Sequence, residues 1–490
     1  MGYFLLLLTA LCANAAVKPD RIDAIVESVR QAFAVPGIAV AIVDGETVVF
    51  QKGYGVKRLG SPEPVTSNTR FAIGSTTKAF TTASMGILVD EGKMSWDDPV
   101  RKHLAFFQLS DALADHAVTM RDIVSHRTGL SRHDLLWYNS PWSSEEIIRR
   151  IGFVSLTKPF RSTYQYQNIM FLTAGYTVGR IAGSSWESFV RTRIWEPLGM
   201  NNSDFSVKDA QTAPDVASPH DRNEKTEKVE TVPWRNLDRI APAGAINSST
   251  ADLSRWVAMQ LNGGEYRGKR VLKADTIREM HAPQMAIRLD DPNSRAINNG
   301  TQMMAYGLGW VVQDYRGLKM VSHGGAIDGF RAQVTLLPEK KLGIVVLANL
   351  GNNNVPECLR SALADELLGV EPFEWLKLYQ DQQSKIAGAA KDRREKQAQS
   401  RRAGTKPSRE WAAYAGSYEN PAYGVASISV RNDGLEAAWS NWLTRLDHFH
   451  FDAFQVDNKR LAESLLEFRL DAKGDIAGMR FLDQEWTKKK

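Results

Sequence analysis

The chain has 490 residues, longer than one typical domain, and 43% hydrophobic with 24% charged is an ordinary soluble composition that supports a large buried core. Net charge is +5, but the 61 Lys and Arg are spread along the chain and densest in one polar stretch, so nucleic acid is not an expected partner. Only two cysteines occur, Cys12 in an expected leader and Cys358, so the mature chain has no intrachain disulfide and no cysteine-based metal centre.

An apolar block from Tyr3 to Leu11 is followed by small residues, the pattern of a secretory leader cleaved near Ala15. The block is too short to span a bilayer, so residues 1–15 predict a secreted or periplasmic protein with no stable membrane span. Asp20 to Ala34 then places Ile22, Ile25, Val26, Val29 and Phe33 at helical spacing, ended by Pro36-Gly37. Two apolar strands flank Asp44-Gly45, a hairpin signal.

The middle of the chain reads as helical, as in NIMFLTAGYTVGRIAG and in SSTADLSRWVAMQL, where Ser249 caps and Asp252 lies in the first turn. A second hairpin comes late, where FRAQVTLLP and LGIVVLANL flank Glu339-Lys340-Lys341, and a helix from about Pro356 to Leu368 follows. Early and late strands meeting in one antiparallel sheet, beside a helical insertion, predict an α/β sandwich flanked by helices with an all-helical region, over residues 16–370.

Residues 371–408 are polar and charged and read as a solvated helical linker. From 409 to 490 apolar and polar residues alternate between turn signals such as Asn420-Pro421, which predicts a small antiparallel domain of β-barrel type.

Chemistry concentrates at FAIGSTTKAF, where Lys78 follows Ser75 by three positions at the head of an apolar run. On a helix that step leaves the two side chains about 60° apart around the axis and ~4.5 Å apart along it, within reach of each other. A serine hydroxyl is a weak nucleophile until a neighbour takes its proton, and a lysine can do so only where burial or a second cation lowers its pKa. The alternative is a plain helix start: Ser155 and Lys158 repeat the spacing, with Pro159 forbidding a helix behind them. Two further elements follow in order, Tyr166-Gln167-Asn168 ahead of an apolar helix and His323-Gly324-Gly325 before the strand that begins at Phe330. Tyr418-Glu419-Asn420 spells the first of these again in the small domain, where no chemistry is assigned to it.

With S-x-x-K, Y-x-N and H-x-G in this order, the chain resembles the serine β-lactamases and penicillin-binding proteins, specifically the class C β-lactamase-like serine hydrolases. IVSHRTGLSRHD, IWEPLGM and YGLGW are similar to that family too, and the small C-terminal domain is similar to one attached to some members. The resemblance implies an acyl-enzyme on Ser75, proton work shared by Lys78 and Tyr166, and a substrate amide held by Asn168. It implies substrate contacts along His323, Gly324, Gly325 and Ala326, an oxyanion hole from the backbone N–H groups of Ser75 and Ala326, and no cofactor or metal.

Lactamases proper carry lysine where this chain has His323, and a mostly neutral imidazole pulls less on an anionic substrate. The expectation is therefore a small-molecule or peptide substrate: an ester or amide, such as a short D-amino-acid peptide or cell-wall fragment. A β-lactamase and a catalytically silent penicillin-recognising protein are the alternatives. His126 and His133 read as structural loop histidines, and Trp137, Tyr138, Trp142 and Trp310 are candidate cleft walls against the commoner fate of core.

Overall fold

The computed structural model describes residues 17–223, 226–432, 434–458, 460–461 and 465–489; the expected leader and its cleavage near Ala15 lie outside them. The chain folds as two compact bodies. The first holds the described residues through Lys93, with Trp186–Arg235 and Gly244–Gln383, and the second holds Met94–Ser185, Asn236–Ala243 and Ser384–Lys490.

The first body is built on an eight-stranded antiparallel sheet. Its strands run in the order Thr47–Gly55, Gly37–Asp44, Leu342–Ala348, Phe330–Leu337, Leu318–Ile327, Val311–Tyr315, Met304–Tyr306 and Met285–Ala286. The early hairpin thus pairs with the late one, Ile38 opposite Ala348 and Ala41 opposite Val345. Gly45, at φ +58°, supplies the left-handed backbone that the first turn needs.

Gly37–Asp44 reads as a continuous apolar run because both its faces are covered. Ile38, Val40 and Ile42 pack with Ile22, Val26 and Val29 of the helix Pro19–Ala32 and with Leu359 and Leu363 of the helix Val355–Leu368. The alternate residues Ala39 and Ala41 face the other way, where the helix Thr250–Leu261 packs. That helix comes so close that a Cβ on Gly343 would lie 2.2 Å from Val257. The sheet is therefore a rigid layer between helices.

The second body combines the helical region with a closed eight-stranded antiparallel barrel running from Gly416 to Lys488. Tyr418, Trp439, Phe454, Phe468 and Trp486 are buried in it, the aromatic filling a barrel of this size requires. The polar stretch forms one helix, Trp375–Ser400; its first turns bury Trp375 and Tyr379, and most of its remaining residues are exposed, as the composition predicts. Among the described residues no helix is long and apolar enough to cross a membrane.

Candidate active site

In the first body, the short strand Phe71–Ala72 delivers the chain into a single 3-10 turn, Gly74–Thr76, and the helix Thr77–Asp90 follows directly. Ser75 thus lies in the turn before the helix, not in its first α turn. Residues Thr77 to Leu88 are all buried, so the base of the turn is clamped by the core. Thr77 Oγ1 accepts the Ile246 N–H at 3.2 Å and ties the helix start to a neighbouring segment. Lys78 is 0% exposed and its Nζ donates to Ser75 Oγ at 3.0 Å, while Ser75 itself is partly open. Burial is the condition under which an amine can give up its charge and take a proton.

The strand Leu318–Ile327 runs hard against this turn, and the contact explains its glycines. A Cβ on Gly325 would lie 1.8 Å from the Ile73 carbonyl oxygen and 3.3 Å from the Ser75 nitrogen. A Cβ on Gly74, which sits at φ +51°, would lie 2.7 Å from the Ala326 nitrogen. Only backbone without side chains fits on either side. The N–H groups of Ser75 and Ala326 therefore belong to two abutting backbones, and Ala326 is exposed. That is an arrangement suited to holding a developing oxyanion.

His323 lies beneath that strand edge, 4% exposed. Its Nδ1 donates to the Gly324 carbonyl at 2.6 Å, which leaves Nε2 to accept from the Tyr306 hydroxyl at 2.8 Å. Burial, helped by the nearby Lys78 charge, pushes its pKa down to about 3, so the imidazole is neutral at every working pH. Gly324, partly exposed, faces away from Gly325, with Gln333 and Glu357 nearest to where its side chain would be.

In the second body, Tyr166 and Asn168 stand at the start of the helix Asn168–Ala182. Between them Gln167, 0% exposed, caps the helix by accepting the Ile169 N–H at 2.8 Å. The Tyr166 ring is half-buried, 4.3 Å from the His126 ring and 5.1 Å from the Arg132 guanidinium. Asn168 Nδ2 donates to Asp134 Oδ1 at 2.9 Å, and Trp137 Nε1 donates to the same oxygen at 2.9 Å. His126, at φ +58°, accepts the Gln167 N–H on Nδ1 at 3.0 Å.

The residues that the motifs did not name, Arg132, Asp134 and His126, all fall in SHRTGLSRHD. The signal for them was the density of polar groups around Gly129, whose Cβ would lie 2.3 Å from the Lys158 carbonyl oxygen. His126 and His133 are loop residues bonded to protein groups. Two of the four aromatic cleft candidates prove to be packed: Trp310 is 0% exposed, and Tyr138, 7% exposed, stacks on Trp442.

A β-lactamase family model matches residues 22–368, and a second, described as a domain of unknown function, matches residues 400–490. The unguisins hydrolase of Aspergillus campestris, strain IBT 28561, is 32% identical over 420 residues, 82% of this chain and 76% of its own. That of Aspergillus violaceofuscus, strain CBS 115571, is 32% identical over 370 residues, 71% of this chain and 65% of its own. The octameric penicillin-binding protein homologue from Pyrococcus abyssi has the same fold, with a TM-score of 0.63 at 20% identity over 96% of this chain and 100% of its own. A family match over residues 22–368, which include the whole eight-stranded sheet and the segment Met94–Ser185, joined to the motif order Ser75, Lys78, Tyr166, Asn168 and His323, leaves one conclusion: the chain belongs to the β-lactamase family.

Proposed function

We propose that this protein is a serine hydrolase that cleaves an ester or amide through a covalent acyl-enzyme on Ser75. The observation that carries this reading is the 3.0 Å approach of a fully buried Lys78 Nζ to a partly open Ser75 Oγ, on a turn held rigid by glycine-tight backbone contact. In acylation Ser75 Oγ bonds to the substrate carbonyl carbon and gives up its proton. The carbonyl electrons move onto oxygen between the N–H groups of Ser75 and Ala326, and collapse expels the leaving group, which takes up a proton. Water then displaces the acyl group by the same route. The proton work falls to Lys78 and Tyr166, and Asn168 serves the substrate amide, as the family resemblance implies.

For substrate, a short peptide, a D-amino-acid peptide or a related cell-wall fragment is favoured over a β-lactam. A neutral, buried His323 supplies no cation for a lactam carboxylate. The names of the two Aspergillus relatives, as hydrolases of unguisins, support hydrolysis of a substrate other than a β-lactam. A secreted or periplasmic setting, the reading of residues 1–15, fits such substrates. Rapid nitrocefin turnover would instead favour the β-lactamase reading.

The test is intact-mass measurement after treatment with a fluorophosphonate probe, in which Ser75 Oγ displaces fluoride at phosphorus. A single adduct on the wild type, absent from Ser75→Ala, is expected. No adduct on either overturns the acyl-enzyme reading in favour of a silent binding protein.

A further inference from the structure

The barrel is seated on residues 131–150 of the helical region, within the second body. Trp442 stacks on Tyr138 at 6.2 Å with the planes 4° apart, and the Arg460 guanidinium lies 5.0 Å from the same ring. Asn139 Nδ2 donates to the Asn441 carbonyl at 3.2 Å, and Arg150 Nη1 donates to the Ala422 carbonyl at 2.9 Å. At the centre of this contact the Tyr423 hydroxyl and His133 Nδ1 share a hydrogen bond of 2.8 Å.

What His133 belongs to gives that bond its meaning. The Ser131 carbonyl accepts from Gln167 Nε2, Arg132 lies over the Tyr166 ring, and Asp134 accepts from Asn168. Three consecutive residues of the Tyr166-Gln167-Asn168 element are thus held by three of the four residues Ser131–Asp134. The fourth, His133, turns the other way, to the barrel. It also steadies the segment itself, since its Nε2 is 3.0 Å from Ser131 Oγ.

His133 adopts φ +45° and ψ +40°, a left-handed conformation that a non-glycine residue keeps only where its surroundings hold it. Tyr423 is 3% exposed, and burial raises its pKa while burial lowers that of His133, so both partners are neutral at pH 7. The bond is a tie between two neutral groups.

We propose that Tyr423 is a positioning residue: its hydroxyl, reaching from the barrel, fixes His133 and thereby the Ser131–Asp134 segment that holds Tyr166 and Asn168. The inference rests on the acyl-enzyme reading for the importance of Tyr166. It makes the small domain a working part of the hydrolase and not an appended module.

The experiment uses the full chain and a chromogenic p-nitrophenyl ester. Tyr423→Phe removes only the hydroxyl, and His133→Asn removes the imidazole while keeping a residue that tolerates the left-handed conformation. Each is expected to lower kcat about tenfold with KM changed less than about twofold, and the double variant to be no slower than the slower single. Tyr418→Phe, which removes the buried hydroxyl that donates to the Tyr414 carbonyl inside the same barrel, is the control and keeps wild-type kcat. Wild-type kcat in both Tyr423→Phe and His133→Asn, or an equal fall in Tyr418→Phe, overturns the positioning role alone. A wild type that neither hydrolyses the ester nor takes up the fluorophosphonate overturns the acyl-enzyme reading and the positioning role together.

Discussion

Tyr418-Glu419-Asn420 and Tyr166-Gln167-Asn168 are spelled alike and lie in the same body, yet their surroundings differ in kind. The first is a strand, so the period of two turns Tyr418 and Asn420 inward and Glu419 outward. Tyr418 is 0% exposed and donates its hydroxyl to the Tyr414 carbonyl at 2.7 Å. Asn420 is consumed likewise, donating to the Glu485 carbonyl and accepting the N–H groups of Ala422 and Tyr423. At 166–168 the backbone instead changes from extended to helical, Gln167 takes the capping work, and Tyr166 stays half-buried beside a guanidinium. The same three letters thus sit in a strand of the barrel in one place and at a helix start in the other.

The same contrast exists for the serine motif, and it predicts the largest effect. Lys78→Ala removes the group beside Ser75 and is expected to slow fluorophosphonate labelling about a thousandfold. Lys158→Ala, in the irregular segment that repeats the spacing, leaves the rate unchanged. Equal rates for the two variants break the comparison. Next, Tyr166→Phe is expected to lower kcat about a hundredfold with little change in melting temperature. Tyr418→Phe does the reverse, keeping kcat and losing about 1–3 kcal/mol in urea unfolding.

The glycines sharpen the contrast further. Gly325→Ala forces a methyl into the Ile73 carbonyl and is expected to cost about 3 kcal/mol and most of the activity. Gly434→Ala in the barrel, where a Cβ meets nothing within 4 Å, is close to silent in both assays.

The smallest effect is in pH. The folded-state pKa of His323 is about 3, below the 6.5 of an ordinary imidazole. The unfolded chain therefore binds a proton that the folded chain refuses, and stability present above pH 6.5 is lost as pH falls towards 3. His281, pushed to about 3 by burial, acts in the same sense, so the measurement is the difference between wild type and His323→Gln. Between pH 7 and 5 the wild type is expected to lose about 2 kcal/mol more than the variant. Parallel curves would mean that His323 is hydrated in the folded state.

Much of the fold was legible because its signals are local: a turn at Asp44-Gly45, a late hairpin around Glu339, a polar helix between two apolar regions, alternation after 409. The turn that carries Ser75 was legible in part. Spacing brings Lys78 to Ser75 whether the serine opens an α turn or, as here, a 3-10 turn, so the pair was readable and the turn type was not. The Ser131–Asp134 cradle was not readable. Its meaning comes from partners that lie 34 to 290 residues away, Asp134 with Asn168 and His133 with Tyr423.

The amino-acid sequence by itself determined the order of the motifs, the residue types able to carry a proton or steady an oxyanion, and the family. All of these rest on residue identity and short spacing. Only the tertiary structure decided which Tyr-x-Asn lies in a barrel strand and which at a helix start, and that His323 is buried and neutral. It alone shows that Gly325 presses on Ile73, and that a barrel residue touches the segment behind Tyr166. Burial, exclusion of a Cβ and hydrogen bonding across hundreds of residues are properties of packed surfaces, which come into being only when distant stretches of the chain meet.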